Sequence, residues 1–336
     1  MRNFFLSLIV CVFVGLNVSC VFKPVYRFNS KNPKIALVVS GALNDSTWNQ
    51  SAYEGLKRFK GDHKNITITV VERVDNDSAQ EVLESLAKNK YDLVLAHGYN
   101  FSQIAKEVAQ KNYSTFYCVI GGSVNAPPNL CSFNFKDDQY GYLLGIVAGL
   151  NTATNKVGIV VGKKLPSIER TIIGLRKGLK TVNPKADLVV SYIDTWSDTV
   201  KSRQAAINQI NTGVDVITHL ADTAGVGVIK AAEEADISAI GSIIDQHDIA
   251  PTTVIGSVIQ DASQLAFLAC EKYVEKTLTP LVYRFGLKDQ VIDLSPTYGN
   301  IDPNTESRIN KYKNYLLNIE VKQEEAAILE NKSLNK

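Results

Sequence analysis

Two tryptophans are present in the 336-residue chain, Trp48 and Trp196, and each stands among polar residues. The first follows Asn44-Asp45-Ser46-Thr47 and precedes Asn49; the second lies in Asp194-Thr195-Trp196-Ser197-Asp198. Aromatic faces beside carboxylates and amides suit a flat ligand with hydrogen-bonding groups on its edge. A nucleobase answers that description, because stacking on an aromatic ring contributes on the order of 1–3 kcal/mol per base. Carboxylates such as Asp45, Asp222 and Asp245 accept from exocyclic amines and ring N–H groups. A sugar stacked by its C–H face fits these residues almost as well.

Each candidate also has a plainer role. Trp48 can pack a helix onto its sheet, and Trp196 can belong to a core. Asn44, Asp45, Asp198 and Asp222 can cap helices. His97 and His219 end apolar runs, as buried, hydrogen-bonded histidines do, and His247 reads as an exposed loop residue. Lys163-Lys164 reads as a solvated turn. Catalytic signatures are missing: the chain has no Gly-x-Ser-x-Gly elbow and no Gly-rich loop ending in Gly-Lys-Ser/Thr. Gly225-Val226-Gly227 lacks the third glycine of a dinucleotide fingerprint. Asp137-Asp138 sits at a helix start, where anions favour the dipole. The histidines show no metal-ligand spacing and no Cys-x-x-Cys occurs. No enzyme, metal or cofactor is expected.

The elements that must position these residues alternate from Lys34 onward. Apolar runs at 35–39, 66–71, 93–97 and 115–120 read as buried parallel strands. Helical patterns separate them at 47–60, 78–88 and 101–110, with an extended Ser132-Phe133-Asn134 and a helix at 138–150 after the fourth. The pattern restarts with strands at 156–161, 188–193, 215–220 and 237–240 and helices at 168–181, 199–211 and 224–235. A third block holds a strand at 253–259, a helix at 262–275, and strand-like 281–285 and 290–292. Two incomplete βα series and a short completing block predict an α/β fold: two Rossmann-like lobes with parallel sheets, joined by a multiply crossed hinge. The expected N-terminal lobe is 34–134 plus about 251–280. The C-terminal lobe is about 135–250 plus 281–320, with 321–336 a frayed polar tail. In such sheets ligands bind beyond the carboxyl ends of the strands, where the tryptophans, Gly98, Tyr99, Asp222 and Asp245 fall.

Residues 1–19 read as a signal peptide, with Arg2 ahead of an apolar Phe4–Val18 that is too short to span a bilayer. Ser19-Cys20 resembles a bacterial lipobox, with Asn17 departing from the usual aliphatic residue. Lipidation is expected at Cys20, with 20–33 a lipid-anchored tether. The formal charge of +2 falls to +1 once Arg2 is removed. That balance gives no footing for nucleic acid. Cys118 and Cys270 sit in apolar runs and read as buried free thiols, while Cys118 and Cys131 flank a loop and could instead pair.

The order of motifs across 34–320 resembles the basic membrane protein family of type I periplasmic binding proteins. The matching stretches are Asn44 to Gln50, Phe135 with Gly141 to Gly145, Gly174 to Gly178, Thr195 to Asp198, Gly225 to Val228, and Ile240-Gly241 with Asp245-Gln246. The resemblance implies an exported receptor serving an ABC permease, held to the membrane by its N-terminal lipid, with a purine nucleobase or nucleoside as ligand. It implies that Trp48 and Trp196 sandwich the purine, that Asn49 hydrogen-bonds the base and that Asp45 shapes the same wall. Gly98 and Tyr99 would line the cleft. Nucleoside-binding relatives carry an acid and a lysine where this chain has Ile243 and Gln260, and some carry a carboxylate at the position of Gly121. Asp222 matches the aspartate of base-binding members. A free base such as adenine is therefore favoured; the alternatives are a sugar receptor on the same fold and a surface adhesin.

Overall fold

Lys34–Val39 is apolar at every position after its lysine, and Ile35 to Val39 are all fully buried. Only a strand covered on both faces permits that. The computed structural model describes residues 31–43 and 48–334. The expected signal peptide, the expected lipidation site Cys20, and Asn44 and Asp45 lie outside the described residues.

The first sheet contains β1 (Lys34–Val39), β2 (Thr67–Val71), β3 (Leu93–His97), β4 (Phe116–Ile120), β5 (Leu130–Phe135) and β11 (Val282–Phe285), in the order β11-β5-β4-β3-β1-β2. The second contains β6 (Lys156–Val161), β7 (Asp187–Tyr192), β8 (Val216–Leu220), β9 (Ser238–Ile243), β10 (Val254–Gln260) and β12 (Ile292–Leu294), in the order β12-β10-β9-β8-β6-β7. All pairings are parallel except β10 with β12. Both sheets thus repeat one order, as two successive βα series should.

Helices cover both faces of each sheet. The helices α1 (Trp48–Asp62) and α8 (Ala262–Val274) pack on one face of the first sheet, and α2 (Asn76–Lys88) and α3 (Ser102–Ala109) on the other. On the second, α4 (Asp137–Asn151) and α5 (Pro166–Val182) lie opposite α6 (Thr199–Ile210) and α7 (Gly225–Glu234). One apolar core runs from β1 and α1 through Phe135 and Tyr140 into α4, α5 and β6. The sequence stretches 141–145 and 174–178 serve this packing. A methyl group on Gly145 would lie 2.2 Å from the Leu175 carbonyl, and one on Gly174 would lie 2.1 Å from that of Asp138. The two backbones meet because neither helix carries a side chain there.

Three findings depart from the sequence expectation. The strand β10, expected in the first lobe, pairs with β9, while β11, expected in the second, pairs with β5. The chain therefore passes between sheets after β5, after β10 and between β11 and β12. Both strands are short, and nothing local in them chooses a partner. The last helix, α9 (Pro303–Leu334), continues where a frayed tail was expected. His247 is half-buried and stacks on Tyr298 at 3.7 Å, so it is not the exposed loop residue expected. Cys118, Cys131 and Cys270 are buried free thiols, with Cys118 and Cys131 in register on adjacent strands.

Candidate functional site

Trp48 is the first residue of α1, immediately beyond the carboxyl edge of the first sheet. Its indole is half-buried and stacks on the His97 ring, with centroids 4.3 Å apart and planes 24° from parallel. His97 ends β3, is fully buried, and donates from Nε2 to the Trp48 carbonyl at 2.9 Å. The pair fixes the helix start to the strand end twice, through ring and backbone. Phe135, ending β5, lies 6.1 Å from the indole. A methyl group on Gly121 would sit 3.4 Å from the indole rim, so β4 also ends against this ring. Trp48 therefore does pack a helix onto its sheet, and it does so at the strand ends.

Asn49 follows it and is buried, its amide close enough to Gly41 that a methyl group there would lie 2.5 Å from Nδ2. Gly98 continues from β3 with φ +136°, a conformation that side chains rarely adopt. Its N–H donates to the Ile120 carbonyl at 3.0 Å. Tyr99 stands next to it, 57% exposed. Trp48, Asn49, Gly98 and Tyr99 thus gather at one edge.

The second sheet presents a matching group. Trp196 follows β7 and is half-buried. Its six-membered ring lies on Gly162, the residue after β6, where a methyl group would approach Cε3 to 2.3 Å. The Trp196 carbonyl accepts the Ala224 N–H at 2.9 Å. That bond ties the tryptophan loop to the turn Asp222–Ala224, in which Asp222 is half-buried with φ +49°. Asp198, by contrast, caps α6 by accepting the Lys201 N–H at 2.8 Å.

Asp245 is engaged elsewhere. One carboxylate oxygen accepts from Ser257 Oγ and the His247 N–H, both at 3.2 Å, and the other accepts from the Tyr298 hydroxyl. It holds the loop after β9 against β10. The fully buried His219 sits flat against Gly225 and hydrogen-bonds from Nε2 to Gln246 Oε1 at 2.8 Å. Burial pushes its pKa down to about 4, so the ring is neutral at pH 7. Asp137, at the start of α4, receives two hydrogen bonds from Arg170, at 2.7 and 2.9 Å. Burial raises its pKa, and the arginine opposes that rise. It braces α4 against α5. Among the described residues no group of His, Cys, Asp and Glu is placed to hold a metal ion.

A model of ABC transporter substrate-binding proteins described as PnrA-like matches residues 32–326. The chain belongs to this family. Basic membrane protein B of Borreliella afzelii is 30% identical over 298 residues, covering 85% of this chain and 87% of that one. A CD4+ T-cell-stimulating antigen of Listeria monocytogenes is 28% identical over 319 residues, 88% of both chains. A solved ABC-transporter solute-binding protein from Conexibacter woesei superposes with a TM-score of 0.69 at 26% identity, covering 86% of this chain and 97% of that one. The fold of this family member is that of a type I periplasmic binding protein. Family members are solute-binding components of ABC systems, which gives this chain a small-molecule ligand and a permease as partner. No described helix is long and apolar enough to cross a membrane.

Sequence reasoning missed two features of the site. The His97 stack was missed because alternation places a residue on a face without saying which ring it meets. Ile243 ends β9 with φ +73°, and a β-branched residue gives no hint of such a backbone.

Proposed function

We propose that this protein is an exported, lipid-anchored receptor that captures a purine between its lobes and delivers it to an ABC permease. The observation that carries the proposal is the placement of one half-buried indole at the carboxyl edge of each sheet. Each indole has a polar side chain nearby in the chain or across a turn, Asn49 in the first lobe and Asp222 in the second. Stacking would supply sequence-tolerant affinity for a planar heterocycle, and the amide and carboxylate would read its edge. Lobe closure would follow from tighter binding to the closed state.

A free base such as adenine is preferred to a nucleoside. Ile243 and Gln260 end β9 and β10 without the charges that would grip a ribose. A sugar is the second reading. The His97 ring occupies one face of Trp48, and a sugar could stack by its C–H face on the other, as a base could. Isothermal titration with adenine, guanine, hypoxanthine, adenosine and ribose separates the two. The proposal expects the largest heats from free bases; binding of ribose alone would remove it.

A further inference from the structure

Ile243 stands where the backbone of β9 leaves the second sheet, in the left-handed region that a β-branched side chain avoids. Such a conformation persists only where the surroundings over-determine it. Here a bond from the Ile244 N–H to the Ser242 carbonyl, at 2.9 Å, closes a tight turn about Ile243, and a neighbouring element braces that turn. The Ile243 N–H donates to the phenolic oxygen of Tyr140 at 3.1 Å, and that oxygen lies 2.7 Å from Ser242 Oγ. Tyr140 belongs to the first turns of α4, five residues beyond Phe135, where the chain has just left the first sheet. It is fully buried, and burial raises its pKa to about 12, so the phenol stays neutral and serves as both donor and acceptor.

The neighbouring bonds extend this anchorage. The Ser242 N–H donates to Gln246 Oε1 at 2.9 Å, and the same oxygen receives His219 Nε2. His219 lies three residues before Asp222. The ends of β8 and β9 are therefore fixed together, and Tyr140 is the bond from that pair to the crossover.

We propose that Tyr140 is a positioning residue for the ligand site: its hydroxyl holds Ile243 in the left-handed conformation and so sets the wall that β9 presents to the ligand. The proposal rests on the strand ends being the binding cleft. Without the hydroxyl, the Ile243 N–H loses its acceptor, the Ile244–Ser242 bond alone opposes relaxation toward the ordinary β region, and the side chains of Ile243 and Ile244 turn. A glycine at 243 would hold the positive φ without help, so the two positions must be coupled.

A double-mutant cycle in the full-length protein tests this, with adenine as the titrated probe. Tyr140→Phe should weaken adenine binding by about tenfold in the wild-type background and by less than about twofold on Ile243→Gly. Equal losses on both backgrounds overturn the proposal. A second measurement needs no ligand: amide hydrogen exchange at Ile243 should quicken at least about tenfold in Tyr140→Phe. It should stay unchanged in Tyr117→Phe, a control at another fully buried tyrosine, whose hydroxyl reaches only the Leu83 carbonyl. Unaltered exchange at Ile243 overturns the anchorage. Failure of wild type to bind adenine would strike the cargo assignment alone, and the exchange measurement would still decide the role of Tyr140.

Discussion

At Gly162 a single hydrogen atom separates the backbone from the Trp196 ring. A methyl group there would lie 2.3 Å from Cε3 and 2.9 Å from the Thr195 carbonyl, so Gly162→Ala must displace the indole. If that ring stacks on the ligand, adenine affinity falls by about tenfold, within the stacking range. Calorimetry reads the result, and unaltered affinity would take Trp196 out of the site. His219 makes a different prediction. Its folded pKa of about 4 lies below the usual 6.5, so the unfolded chain takes up a proton that the folded chain refuses. The associated stability, about 3 kcal/mol, is present above pH 6.5 and is lost as the pH falls toward 4. The stability gap between wild type and His219→Gln, from urea titrations at stepped pH, should therefore narrow over that window. A constant gap would contradict the assignment. Both tryptophans were legible in the sequence because their type clashes with their polar neighbours. Ile243 was not, since its strained turn is braced by Tyr140, 103 residues away in the chain.

The elements were legible nearly to the residue where period and punctuation agreed. Leu93–His97 and Lys156–Val161 fall where the apolar runs predicted them. Partner choice was not legible. The strands β10 and β11 are both short and close in the chain, yet they join different sheets, and only the whole core decides between them. The stretches 141–145 and 174–178 looked like family signatures and proved to be a seam between α4 and α5. Gly145→Ala would place a methyl group 2.2 Å from the Leu175 carbonyl and force the helices apart. Overpacking of that kind costs about 1–3 kcal/mol. The denaturation midpoint should fall accordingly in urea titration. A midpoint equal to wild type would mean that the helices separate freely.

Across the whole molecule, three crossings join two lobes built on the same strand order, and one core continues through the junction at Phe135 and Tyr140. That arrangement sets the carboxyl end of β9 beside the start of α4, through the bonds of Tyr140 to Ser242 and Ile243. On the proposed reading the ligand would sit at that junction, with one tryptophan from each lobe. The general form of such a receptor was readable from alternation and motif order. Which groups face the ligand depends on loop backbones such as those of Asp222 and Ile243, which periodicity does not encode.

The chain's having two tryptophans makes the central claim directly measurable. Trp48→Phe leaves Trp196 as the sole indole emitter, and Trp196→Phe leaves Trp48. Titrating each variant with adenine to saturation should change the emission of both reporters, with one midpoint per variant matching its calorimetric affinity. A reporter that stays silent while calorimetry records binding would place its ring outside the site and contradict a ligand held between the two indoles.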